Sequence, residues 1–85
     1  MKTQDWYVTI HLSEDDHDTH ALAVLHSRDG IELHTSGSAR RNPADASVPE
    51  IGEELATARA LNALADRLMD VTYRDIQDLA HAAPA

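Results

Sequence analysis

Thr19-His20-Ala21-Leu22-Ala23-Val24-Leu25-His26-Ser27 is the stretch on which the fold turns. Ala21, Ala23 and Leu25 fall on one parity and His20, Leu22, Val24 and His26 on the other, so both faces carry apolar side chains, as a central strand requires. The neighbours on either side fit that role. Upstream, residues 5–12 alternate, with Trp6, Val8, Ile10 and Leu12 against Tyr7, Thr9 and His11, the period of a half-buried strand. Downstream, Arg28-Asp29-Gly30 supplies a tight turn, with Gly30 free to take positive φ, and a third strand follows over 31–39. Strands are therefore expected at 5–12, 19–27 and 31–39. With His11 opposite His20 and Ser27 opposite Ile31, both hairpins place Trp6, Val8, Ile10, Ala21, Ala23, Leu25, Leu33, Thr35, Gly37 and Ala39 on one inner face. That face is large at the Trp6–Leu25–Leu33 end and small at the Ala21–Gly37–Ala39 end, a taper that lets a helix approach the backbone closely.

The helix follows a loop from Arg40 to Ala46 in which no hydrophobic period survives and Pro43 biases Asn42 towards an extended backbone. Ser47-Val48-Pro49-Glu50 has the form of a capping box, and Glu50, Glu53 and Glu54 favour the positive end of the helix dipole. Ile51, Leu55, Ala58, Leu61, Leu64, Ala65, Leu68 and Val71 recur at helical spacing but cover about half the circumference, so the helix must touch two things. The sheet accounts for one side. A second, short helix, capped by Thr72 with Asp75 and bringing Tyr73, Ile76 and Leu79, accounts for the other; helices are expected at about 48–70 and 73–80. The fold class is α+β, one domain over residues 1–85, in the order β-β-β-α-α.

Composition narrows the function. Eighty-five residues, 9.3 kDa, allow one core, and with aromatics at 4% and no Phe that core is aliphatic and thin. Fifteen acids against seven bases leave a net charge of −8, shared evenly between the halves (4 − 8 = −4 over residues 1–49; 3 − 7 = −4 over 50–85), which argues against a general phosphate-backbone binder. No cysteine, no apolar run of membrane-spanning length and no apolar stretch after Met1-Lys2 point to the cytoplasm.

Six histidines are many for this length. His11, His20, His26 and His34 share the outer sheet face, with His26 opposite Glu32 and diagonal to His34, donor types that suit Zn²⁺ or Ni²⁺. A third firm ligand is missing at either place, and exposed strand histidines need no metal to explain them. The acidic run Glu14-Asp15-Asp16-His17-Asp18 lacks the ligand pattern of a calcium loop. The serines sit in strand, turn or cap positions with no nucleophile elbow, and glycines 30, 37 and 52 are too far apart to cradle a phosphate. No catalytic, cofactor-binding or metal-binding residue is assigned, and no enzyme activity is expected. Arg40 and Arg41 are the candidate anion site or structural ion pair, with pairing to Glu50, Glu53 and Glu54 the favoured role. Tyr7, Leu22, Val24 and His34 form the candidate interaction face, because one helix cannot cover both faces of a three-stranded sheet. A homo-oligomer, with a dimer favoured, is the expected partner.

Gly37-Ser38-Ala39-Arg40-Arg41-Asn42-Pro43-Ala44-Asp45, followed by Val48-Pro49-Glu50-Ile51-Gly52-Glu53-Glu54-Leu55-Ala56 and Arg59-Ala60-Leu61, resembles domain-of-unknown-function family 1876, small actinobacterial proteins. The likeness reaches from the Trp6 strand to Asp75-Ile76 and so covers nearly the whole chain. It implies a fold grouped with double-stranded-RNA-binding-like α+β domains, and no established activity. The grouping does not carry RNA binding with it. Such binders present a basic helix start to the phosphates, and here that start is Glu50, Glu53 and Glu54; the sequence also opens directly into a strand, without the helix that reads the minor groove.

Overall fold

A computed structural model describes residues 1–42 and 48–82. Pairing of three strands, β1 (Tyr7–Glu14), β2 (Asp18–His26) and β3 (Glu32–Arg40), gives an antiparallel sheet in the order β1-β2-β3, and one helix, α1 (Pro49–Ala82), crosses it. Ser47 and its capping box lie outside the described residues, as does Pro43. The first turn that can be seen has Ile51 N–H donating to the Val48 carbonyl at 3.1 Å, with Pro49 at the first helical position, where its missing donor costs nothing.

The second hairpin has the expected register: Leu25 faces Leu33, Ala23 faces Thr35 and Ala21 faces Gly37. Gly30 takes φ +72°, and Ser27 N–H donates to the Ile31 carbonyl at 3.1 Å across the turn. The first hairpin is shifted by two residues. His11 faces Leu22, Ser13 faces His20, Val8 faces Leu25 and Ile10 faces Ala23. The cause is the turn: Asp15 Oδ1 accepts from Asp18 N–H at 3.0 Å and from His17 N–H at 3.4 Å, so Asp15 caps its own loop and Ser13 and Glu14 stay in the strand. A two-residue slip preserves which face each side chain occupies, so the inner-face assignment survives while the partners change. Trp6 is the casualty. Pairing begins at Tyr7 opposite the last residue of β2, and Trp6, expected in the core, is 53% exposed; Val8, expected on the same face, is 43% exposed because the helix scarcely reaches β1.

The helix settles on β2 and β3 and meets β1 only at its margin. Ala56, Ala60 and Leu64 pack on Ala21, Ala23, Leu25 and Ala39, with Ile10, Leu33 and Leu68 around them. The small end of the taper allows backbone contact: Thr35 Oγ1 donates to the Ala60 carbonyl at 2.8 Å and Arg59 Nη1 to the Ser38 carbonyl at 2.7 Å. At Gly37 a Cβ would collide with the backbone of Ala56, Arg59 and Ala60.

The helix does not break near Val71. No glycine or proline occurs between Gly52 and Pro84, and Thr72, expected to start a second helix, donates its hydroxyl back to the Leu68 carbonyl at 2.8 Å inside the first. Thirty-four residues make a rod of about 51 Å, longer than the roughly 30 Å of a nine-residue strand. The rod therefore overhangs. Tyr73, Ile76 and Leu79, expected to cover the back of the helix, stand 56–74% exposed along it. The radius of gyration is 17.4 Å, against about 12 Å for a compact domain of this length.

Candidate functional site

Three surfaces bring chemistry-bearing side chains together. On the outer sheet face, Glu32 sits between two imidazoles, 3.4 Å from His26 Nδ1 and 3.1 Å from His34 Nε2. The expected His26–Glu32 opposition and the diagonal to His34 both hold. His11 and His20 are not opposite each other, since the register shift separates them by two residues. Tyr7 and Leu22 are exposed, at 64% and 38%, and His34 is exposed with them. Val24 is not. At 5% it is buried between Thr9 of β1 and His34 of β3, because a central-strand side chain is walled in by both neighbours. The candidate interaction face thus has a sealed centre and an open apolar rim.

A second surface lies where the first hairpin, the end of β3 and the start of α1 converge. A cleft of about 440 Å³ opens there, with Thr19, Ala39, Ile51 and Leu55 in its apolar wall and charged groups at its rim. Arg40 Nε lies 3.6 Å from Asp18 Oδ1. Arg41 ties the end of β3 to the turn, its N–H donating to the His17 carbonyl at 2.8 Å and its Nη2 meeting His17 Nδ1 at 3.1 Å. The favoured reading, pairing of the arginines with the helix-start glutamates, is replaced for Arg40 by pairing with Asp18 from the adjacent strand. Glu14, Asp15 and Asp16 line the same rim and oppose an anion.

Asp15, Asp18 and His20 offer ligand atoms within 4.8 Å of one another, a grouping the sequence pattern did not single out. Asp15 is engaged by the turn amides and Asp18 by Arg40, so both carboxylates have structural partners. Nearby, the Glu53 carboxyl is held above the ordinary carboxylate range, first by a hydrogen bond shared with Glu14, then by desolvation and by the negative charges of Glu14, Glu50 and Glu54.

The third surface is the back of α1, opposite Ala56, Ala60 and Leu64. Ile51, Leu55, Met69, Tyr73, Ile76 and Leu79 lie exposed along it. The apolar half-circumference was legible in the sequence, but the second helix expected to cover it is a continuation of α1. Among the described residues no helix is long and apolar enough to cross a membrane.

A model of the Rv2632c-like family matches residues 4–85. The chain belongs to that family. This Rv2632c-like protein is 46% identical over 78 residues to uncharacterized protein Mb1767 of Mycobacterium bovis, covering 92% of this chain and 82% of that one. Over 74 residues it is 42% identical to uncharacterized protein Rv2632c of Mycobacterium tuberculosis, covering 87% and 78%. The crystal structure of Rv2632c superposes with a TM-score of 0.87 at 37% identity, over 98% of each chain, and so carries the same α+β architecture. The expected membership of a family of small actinobacterial proteins is met at that level.

Proposed function

We propose that this Rv2632c-like protein is a non-catalytic interaction module of the cytoplasm that works as a homo-oligomer, in the first instance a dimer. One observation carries the reading: α1 continues unbroken past the sheet and holds Met69, Tyr73, Ile76 and Leu79 in water, each at least half exposed. A monomeric domain normally buries such a row, and among the described residues there is no second helix to do it. The thin aliphatic core points the same way, since a domain of this size gains much of its burial from a partner. The double-stranded-RNA-binding-like grouping, and with it the name domain-of-unknown-function family 1876, suits the order of three strands followed by a helix. The glutamate-headed helix and the net charge of −8 weigh against RNA as the ligand. The Arg40/Arg41 site is weaker because Arg40 is paired with Asp18 and acids share the rim. Metal binding through the histidines is weaker because Glu32 already satisfies His26 and His34 as a hydrogen-bonding partner.

Sedimentation velocity of the unsubstituted protein from low micromolar to near-millimolar concentration tests the reading. The expected result is a mass rising with concentration to twice 9.3 kDa. A single 9.3 kDa species at every concentration overturns it.

A further inference from the structure

The exposed back of α1 has a spacing of its own. Ile51, Leu55, Ala58, Asn62, Ala65, Met69, Thr72, Ile76 and Leu79 follow one another at intervals of four and three without interruption, the period of a coiled-coil seam. All nine are exposed, whereas the sheet-facing residues Ala56, Ala60 and Leu64 fall on the opposite side of the helix. The seam is about 42 Å long, from 28 residues of rise. Its five large members and the flanking Leu61 and Tyr73 each leave 41–74% of their area in water, together of the order of the ~800 Å² that one partner contributes to a standard specific interface.

We infer that the partner is a second copy of this chain, docked helix to helix along this seam in antiparallel orientation about a two-fold axis near Arg67. The inference rests on the self-association proposed above and adds its surface and direction. Antiparallel register sets Leu55 against the partner's Leu79, Ala58 against the partner's Ile76, Asn62 against the partner's Thr72 and Ala65 against the partner's Met69. Every small side chain meets a large one, and the two polar residues of the seam meet each other. A close-packed interface needs that alternation, and one polar layer fixes register. The parallel arrangement stacks Ala58 on Ala58 and Ala65 on Ala65, which leaves voids. It also gathers both copies of Glu50, Glu53 and Glu54 at one end of an assembly whose chains each carry −8. Antiparallel packing separates those glutamates and sets each helix start beside the negative end of the other dipole. The overhang gains most. Residues 72–82, which extend beyond the core cluster, then lie on the half of the partner helix that the sheet supports, and the partner's Leu79 reaches the cleft edge at Ile51 and Leu55.

The chain has no cysteine, so single thiols report the geometry cleanly. Leu55→Cys and Leu79→Cys proteins, one of them carrying a mass tag, are mixed and oxidised; the two positions are about 36 Å apart along one helix, so no single orientation satisfies both outcomes. The expected product is the 55–79 heterodisulfide in at least tenfold excess over either homodisulfide. Homodisulfides in excess mean parallel packing and overturn the inference, and absence of any disulfide from a protein that still sediments as a dimer moves the interface elsewhere and overturns it too. An unsubstituted chain that sediments only as a monomer is a different failure, that of the underlying reading. Ala65→Arg, at the centre of the seam and exposed in the monomer, is expected to weaken association at least tenfold with the far-ultraviolet dichroism of the helix retained. An unchanged dimer for this variant also overturns the inference.

Discussion

Gly37 shows how one missing side chain sets the distance between two layers. Its neighbours across the interface are main-chain atoms of Ala56, Arg59 and Ala60, which cannot rotate away, and a methyl added at this position would lie inside 3.0 Å of all three. Gly37→Ala is therefore expected to cost about 3 kcal/mol, the range of an overpacked core, and to lower the urea midpoint by roughly 2 M at fixed protein concentration. Gly52→Ala is milder, because the methyl meets the Thr19 hydroxyl, the end of a side chain that can turn. Glu53 makes a different prediction at the same scale. Its folded pKa is raised, chiefly by the hydrogen bond shared with Glu14, so the folded state holds the proton more tightly than the unfolded chain. The resulting stabilisation is present below the ordinary carboxylate pKa and is lost as pH rises through the elevated folded value. Glu53→Gln, neutral at every pH, is expected to raise the melting temperature at pH 7 more than at pH 4, with the difference shrinking in salt because the site is open to solvent. Equal shifts at both pH values count against this assignment.

At the level of elements, β2 behaves as its two-sided apolar pattern requires, and the consequence falls on Val24. Its side chain points away from the helix and is nevertheless buried at 5%, closed in by Thr9 and His34. Val24→Glu is thus expected to lose about 3 kcal/mol or more through a charge with no partner, and to unfold the chain before it reports on any interface; Leu22→Glu, at an exposed position on the same face, is expected to leave the thermal midpoint nearly unchanged. Comparing the two melts decides it. The register of β1 was legible only in parity. Alternation along 5–12 assigned Ile10 to the inner face correctly, but the pairing depends on where the loop closes, and that was decided by the Asp15 carboxylate choosing the amides of His17 and Asp18. Helix continuity was misread for a related reason. Thr72 is a good cap in isolation, yet with no proline or glycine to break the rod its hydroxyl simply bonds the preceding turn.

For the whole molecule, the sheet and the overhang have separate fates. Residues 72–82 extend beyond the core cluster, and their described side chains are exposed through residue 81. A chain ending at Val71 is expected to keep its sheet and its unfolding free energy to within about 1 kcal/mol when both are compared as monomers, and to lose its concentration-dependent mass. Retention of the dimer by this truncated chain argues for the outer sheet face, with Tyr7 and Leu22, as the contact. What the amino-acid order determined by itself was the local grammar: three strands, a helix that starts near Pro49, the second hairpin through Gly30, the inner and outer faces, and the small-to-large taper under the helix. These follow from periods of two and 3.6 residues and from backbone freedom at glycine, all properties of neighbours in the chain. Tertiary structure alone decided that Trp6 falls outside the core, that Arg40 pairs with Asp18, that Val24 is sealed, and that a half-apolar helix goes uncovered for a third of its length. Each of those outcomes depends on which distant residues arrive opposite one another, and the two-residue slip of the first turn is enough to leave Trp6 outside the paired strands without altering any local preference.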